Sequence, residues 1–286
     1  MITGMLLPSI IGAFALLLQR AYENRAHSLL MQTMRLDPYS AFLLEHGLGV
    51  RAARLAAVFL GALGMLVVGL LDDKHELKPK AKFAGQFIFA ALVAASGVRI
   101  TLFVHSGVFS YAITILWIVT VINAFNFMDN MNGLCAGLGA IGAWCFALIA
   151  AAGGQYLVAL IGFLIFGALL GFLPYNFPNA RAFLGDGGSH LVGYIMAVLA
   201  ILPHFYTTLH PKPLAVLTPL FVLAIPLGDL VWVVLLRWKI GQPFYQGDTN
   251  HLSHRMVRLG LSKSKAVALI WLGAAVIATV GLIIGR

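Results

Sequence analysis

The chain has 286 residues, of which 60% are hydrophobic and 10% charged, and its mean hydropathy is +0.92. This composition excludes an ordinary soluble globule and points to a polytopic membrane protein. The formal charge of +9 does not call for nucleic acid, because basic loops equally suit anionic headgroups and phosphate-bearing substrates.

Apolar runs of roughly 17 to 25 residues, the length that crosses about 30 Å of hydrocarbon, occur at nine places: 2–18, 55–71, 83–98, 111–127, 135–152, 156–173, 188–203, 214–236 and 266–284. The expected fold is therefore all-α, a bundle of about nine membrane helices. The first run has no basic region before it and no clear small-residue cleavage site, so it reads as a span and not as a signal peptide. Cys135 and Cys145 lie in or beside one apolar run and read as small packing residues. No Walker loop, dinucleotide fingerprint, thiolate metal site or repeat array is present.

Nine spans put alternate loops on opposite sides. One set carries Lys74, Lys78, Lys80, Lys82, Arg181, Arg237, Lys239, Arg255, Arg258, Lys263 and Lys265, eleven basic residues against eight in the other set, and is assigned to the cytoplasm.

The polar residues least at home in such a chain fall on that same side. Asp72 and Asp73 end the second span, and the segment 123–133, NAFNFMDNMNG, follows the fourth with Asn126, Asp129 and Asn132. The segment 174–190, PYNFPNARAFLGDGGSH, brings Asn176, Arg181 and Asp186, and the loop 237–260 brings Asp248, His251, His254 and Arg255. A transporter would keep such groups nearer the middle of the bilayer. Oxygen ligands from Asp and Asn suit Mg²⁺ shared with substrate phosphates, while lysine, arginine and histidine can neutralise a moving phosphoryl group. Each motif alone has a plainer reading: a solvated helix end, an Asn-Gly turn, a helix start at GDGGS, a basic loop facing lipid. Their joint occurrence on one face favours Mg²⁺-dependent phosphoryl transfer at a membrane surface.

The ordered set LDDKHELKPKAKFAGQ, NAFNFMDNMNGL, FLGDGGSHLVGY and PLGDLVWVVLLRWKIGQPFYQGDTNHLSHRMVRLGLS resembles the polyprenyl-phosphate N-acetylhexosamine-1-phosphate transferases over roughly residues 55–265. HLSHR, in place of three consecutive histidines, is closer to the WecA-type branch than to the MraY-type enzymes of peptidoglycan synthesis. The resemblance implies a single domain over 1–286 whose cytoplasmic loops form the active site. It implies transfer of a sugar-1-phosphate, N-acetylglucosamine-1-phosphate foremost, from a UDP-sugar to undecaprenyl phosphate, with UMP released at the start of a cell-envelope polysaccharide such as lipopolysaccharide. The alternatives are the phospho-N-acetylmuramoyl-pentapeptide transfer of the MraY-type enzymes, a catalytically impaired relative, or a transporter. Prenyl transfer would need several aspartates spaced over two helix turns in two places, which Asp72 and Asp73 followed by lysines do not supply.

By the same resemblance Asp186 and Asn126 would hold Mg²⁺, or Mn²⁺ in its place, against the diphosphate. One of Asp72 and Asp73 would deprotonate or orient the lipid phosphate, and Asp129 and His251 complete the catalytic set. Lys82, Asn132, Asn176, His254 and Arg255 would bind substrate, Asn132 at the uracil, and Asp229 would support the site from within a span. Attack of the lipid phosphate on the β-phosphorus and a covalent step through an aspartate such as Asp186 both remain open, the first needing only positioning and charge neutralisation. The partners implied are the UDP-sugar, the polyprenyl phosphate, membrane lipid and, as a homodimer, a second copy; nucleic acid is not among them. The implied location is the bacterial inner membrane.

Two features depart from the pattern. Many relatives carry Asp where this chain has Asn132 and Gly where it has Asn130; an amide can pair with uracil but brings no negative charge. Relatives also usually begin with one more span and a basic loop, whereas this chain opens at MITGMLLPSI in the equivalent of their second span.

Overall fold

A computed structural model describes residues 38–203, 205, 213–243 and 249–285, with side chains over most of these from residue 52 onward. The apolar run 2–18 and Asp248 lie outside the described residues. The chain divides into two compact units, Met1–Ala57 and Val58–Arg286, and the second holds every residue of the candidate site.

The described residues form ten α-helices. They are α1 (Pro38–His75), α2 (Pro79–Ala95), α3 (Gly107–Met128), α4 (Leu134–Ala152), α5 (Tyr156–Asn176), α6 (Gly185–Leu199), α7 (Thr218–Val222), α8 (Ala224–Lys239), α9 (Leu252–Arg258) and α10 (Lys263–Gly285), with a short 3₁₀ turn at Pro213–Leu217 before α7. Each apolar run predicted between 55 and 213 coincides with a helix, as does the last, 266–284, whereas 214–236 falls on a 3₁₀ turn and two helices. Five helical stretches are long and apolar enough to cross a membrane: Ala52–His75, Gly107–Met128, Leu134–Ala152, Tyr156–Asn176 and Lys263–Ile283. The pair Leu214–Val222 and Ala224–Lys239 passes together but bends by 74° at its break.

The described residues cover eight of the nine runs read from hydropathy; of these, 214–236 is the bent pair, and α2 and α6, with only 17 and 15 residues, are the two too short to count as spans. Pro79 opens α2 in its first turn, where a missing N–H costs nothing. Beyond Ala95 the chain turns at Gly97, whose φ is +95°, before the predicted run is complete. The described residues are all-helical, and the protein is multi-pass.

Helix α4 is the centre of the bundle, with 72% of its most apolar stretch buried against 17% for α5, which lies at the rim. Its sequence LCAGLGAIGAWCFALIAAA explains the difference, because small side chains let neighbouring backbones approach where lipid offers no hydrophobic drive to associate. Cys135 and Cys145 are buried free thiols there, as their packing role requires. Ile118, Ile122, Phe125 and Met128 of α3 are fully buried alongside Tyr194, Met196 and Leu199 of α6. Phe59, Leu63, Ile88, Leu116, Leu164 and Leu272 face outward, an arrangement costly in water and natural in hydrocarbon. The result is a bundle whose polar helix ends at 72–82, 126–133, 176–190 and 251–255 meet in one region.

Candidate active site

Lys82, in the first turn of α2, sits at the centre. Its ammonium lies 2.6 Å from Asp72 Oδ2 and 3.0 Å from Asp186 Oδ2, and donates at 3.4 Å to Asn126 Oδ1. Asn126 in turn donates from Nδ2 to Asp186 Oδ1 at 2.6 Å and to Ser189 Oγ at 3.0 Å. Four residues from three sequence-distant motifs therefore touch directly. The Asp72 and Lys82 side chains are only 9% and 17% exposed, so the attraction acts in a medium far less screening than water. Removing one member of such a buried set leaves an uncompensated charge, at a cost of about 3–5 kcal/mol.

Burial alone would raise the Asp186 carboxyl, but the hydrogen bond shared with Asp72, the Lys82 ammonium and the Asn126 amide together outweigh it and hold Asp186 at about 2. It is an anion at neutral pH with each oxygen already engaged. Asp129, the residue at which α3 ends, behaves in the opposite way: burial, then the charges of Asp186 and Asp73, push it up to about 7. A carboxyl that titrates near neutrality can both accept and return a proton.

Asp73 is next to Asp72 but does a different thing. Its Oδ1 accepts from the Asp186 N–H at 2.8 Å and its Oδ2 from the Gly187 N–H at 2.9 Å.

A second group frames this centre. The Asn176 amide oxygen accepts from Gly133 N–H at 2.7 Å and its nitrogen donates to Ala182 C=O at 2.8 Å, so a buried side chain ties the turn after α3 to the loop before α6. Asn132 is exposed beside it and donates to Pro178 C=O at 3.1 Å.

The last loop supplies a third group. Asp229, buried in α8, accepts from Leu252 N–H at 2.6 Å through Oδ1 and faces His251 Nδ1 at 2.7 Å through Oδ2. His251 lies edge-on to Phe127 at 5.3 Å between ring centroids, which brings α9 against the end of α3, and Ser253 Oγ donates to Asn130 Oδ1 at 2.6 Å beside it. The His254 ring is 6.4 Å from that of His251, and partial burial and the neighbouring cationic side chains keep it below the ordinary histidine value. Arg255 lies over the Trp232 ring at 4.6 Å, on the outer side of this group.

Sequence reading missed the Gln86–Asn123 contact, in which Asn123 Nδ2 donates to Gln86 Oε1 at 2.7 Å one helical turn deeper than Lys82 and Asn126. Spacing carried the signal: Lys82 and Gln86 are four residues apart and Asn123 and Asn126 three, so each pair lines one face of its helix.

The donors around Asp186 suit a hard cation. Asp186 offers a carboxylate and Asn126 an amide oxygen, both facing the Lys82 ammonium, while among the described residues no three acidic, imidazole or thiol groups converge into a cage of their own. Two protein oxygens fit an ion that keeps water and takes its remaining ligands from phosphate, as Mg²⁺ does.

The model of glycosyl transferase family 4 matches residues 55–204, more than half of the 286. The chain belongs to glycosyl transferase family 4. The matched segment contains the whole Asp72, Lys82, Asn126 and Asp186 cluster. Among curated relatives, a Bacillus subtilis protein named "Probable undecaprenyl-phosphate N-acetylglucosaminyl 1-phosphate transferase" is 33% identical over 77% of this chain and 63% of its own length. A decaprenyl-phosphate N-acetylglucosaminephosphotransferase of Mycolicibacterium smegmatis is 33% identical over 78% of this chain and 61% of its own. The undecaprenyl-phosphate alpha-N-acetylglucosaminyl 1-phosphate transferase of Escherichia coli K12 is 28% identical over 80% and 65%. The chain thus spans just under two thirds of the length of these relatives.

Proposed function

We propose that this protein transfers N-acetylglucosamine-1-phosphate from UDP-N-acetylglucosamine to undecaprenyl phosphate, releasing UMP and leaving a diphosphate-linked lipid that starts a cell-envelope polysaccharide. The observation that carries this reading is the Lys82 ammonium held between Asp72 and Asp186 with Asn126 on the same carboxylate. Membership of family 4 and the names of the three relatives support it.

In the reaction an oxygen of the lipid phosphate bonds to the β-phosphorus of the donor as the bond from that phosphorus to the bridging oxygen breaks and UMP departs. Asp72, at the end of a membrane helix, orients the lipid phosphate and takes its proton. Lys82 neutralises charge on the phosphates as the bond order shifts. Direct transfer is favoured over a covalent aspartyl intermediate because it needs only positioning and charge neutralisation. Asp186 and Asn126 are the residues that would hold Mg²⁺, which when bound supplies charge neutralisation at the diphosphate. Asp129 serves as the proton relay, and His251, fixed by Asp229, donates to the diphosphate or sugar. Asn132 pairs with uracil, Asn176 holds the surrounding loops, and His254 and Arg255 line the sugar side. The bundle is a multi-pass protein of the inner membrane, with this site on the cytoplasmic face.

Purified protein incubated with undecaprenyl phosphate and a panel of UDP-sugars tests the reading by release of UMP. The expected result is turnover with UDP-N-acetylglucosamine that chelation of divalent cations abolishes. Turnover only with the muramoyl-pentapeptide donor would move the protein to the peptidoglycan branch, and no turnover with any donor would overturn the proposal.

A further inference from the structure

The two adjacent aspartates have separate jobs. We infer that Asp73 is a positioning residue: with Gly69 it forms a grip by which the last turn of α1 holds the first turn of α6, and so sets where Asp186 stands. The inference rests on the reading of Asp186 as the residue that faces the diphosphate.

Gly69 and Asp73 are four residues apart and share one face of α1. At Gly69 the helix lies against the backbone of α6, where a β-carbon would come within 2.3 Å of the Asp186 carbonyl oxygen and 2.5 Å of Gly187 Cα. One turn further on, Asp73 takes both free backbone N–H groups of Asp186 and Gly187. These belong to the helix-start donors that have no partner within their own helix. Leu184, the residue in the N-cap position of α6, has no side-chain acceptor to offer, so the cap comes from 113 residues earlier in the chain. The contact is close enough that Gly185, at φ +61°, could not carry a β-carbon without bringing it 2.8 Å from Asp73 Oδ2.

Asp72 turns the other way. Its Oδ2 meets Lys82, and its Oδ1 accepts from Leu77 N–H at 2.8 Å, which ends α1. Both oxygens of Asp73 are spent on backbone donors, which leaves Asp72 as the one of the pair in contact with the phosphate-binding lysine. A negative charge at the start of α6 also agrees with the helix dipole.

Asparagine keeps an acceptor and ranks beside aspartate as a cap, whereas alanine keeps none. The experiment therefore compares Asp73→Asn with Asp73→Ala by kcat and KM for the UDP-sugar and by amide hydrogen exchange over residues 186–190. Asp73→Asn, which keeps one acceptor oxygen for the two N–H groups, is expected to retain kcat within about tenfold of wild type and exchange slower than that of the alanine variant. Asp73→Ala is expected to lose about a hundredfold in kcat at little changed KM, with exchange at 186 and 187 accelerated at least tenfold. Gly69→Ala, which leaves the carboxylate intact but forces the helices apart, is expected to lower kcat at least tenfold.

An asparagine variant as inactive as the alanine one, with exchange unmoved in both, would overturn the inference and make the carboxylate a reactant. An alanine variant indistinguishable from wild type in both measurements would overturn it as well. If the wild type releases no UMP with any donor, the transferase reading fails by itself, and the exchange rates alone decide whether Asp73 grips α6.

Discussion

The two ends of α2 carry polar groups of similar kind and use them differently. At its start Lys82 reaches residues 44 and 104 positions away, joining α3 and α6. After its end, Ser96 bonds back three residues to Val93 C=O, Ile100 N–H donates to Thr114 Oγ1 and Ser110 Oγ to Ile100 C=O, so no bond among them spans more than 14 residues. Short-range bonds close a connection; long-range ones fix the relative positions of helices. The same helix is thus anchored for geometry at one end and merely turned round at the other.

Substitutions at the two ends should separate by orders of magnitude. Asp186→Asn is expected to lower UMP release by about 10³-fold or more, since the carboxylate that would hold the divalent cation against the diphosphate becomes a neutral amide. Lys82→Met follows at about 10²- to 10³-fold, with kcat falling more than KM rises, because two carboxylates then face one another without a cation. Asp229→Asn stands one contact further out and should cost about 10- to 100-fold, the usual penalty for losing the group that fixes a histidine's orientation. An Asp229→Asn variant as active as wild type would detach the His251 loop from the chemistry.

Asp129 tests the comparison by stability. Its value in the folded chain, about 7, lies above the ordinary 3.8, so the folded state resists its ionisation. That contribution is fully present below pH 4 and is lost as pH rises through 7, by no more than about 4 kcal/mol. Thermal unfolding in detergent should therefore show a melting temperature that falls between pH 4 and 8 in wild type and a flatter curve in Asp129→Asn. At the far end, Thr114→Val removes the hydroxyl that receives Ile100 N–H and should cost about 1 kcal/mol of stability with no change in turnover. Loss of turnover there would erase the distinction between the two ends.

Much of this was legible in the sequence, and the gaps have physical causes. Apolar runs located every described membrane helix, because lipid forbids exposed backbone and so makes hydropathy a structural signal. Counting crossings was harder, since α2 and α6 are buried partly by their neighbours and need not span the full hydrocarbon thickness alone. The motifs named the residues of the Lys82 cluster, which the fold brings within hydrogen-bonding distance. They did not separate Asp72 from Asp73, because adjacent positions on a helix point about 100° apart and only the packing of α6 shows which one it meets. Nor did they reveal that Asn176 turns both its amide oxygen and its nitrogen to loop backbone groups.

The grip between Asp73 and the start of α6 joins residues 113 positions apart. During synthesis, α1 through α5 must emerge before its second half exists. Asp72, Asp73 and Lys82 therefore spend that interval without Asp186, and the arrangement that defines the site is a late product of assembly, completed only when α6 is drawn in beside helices already made.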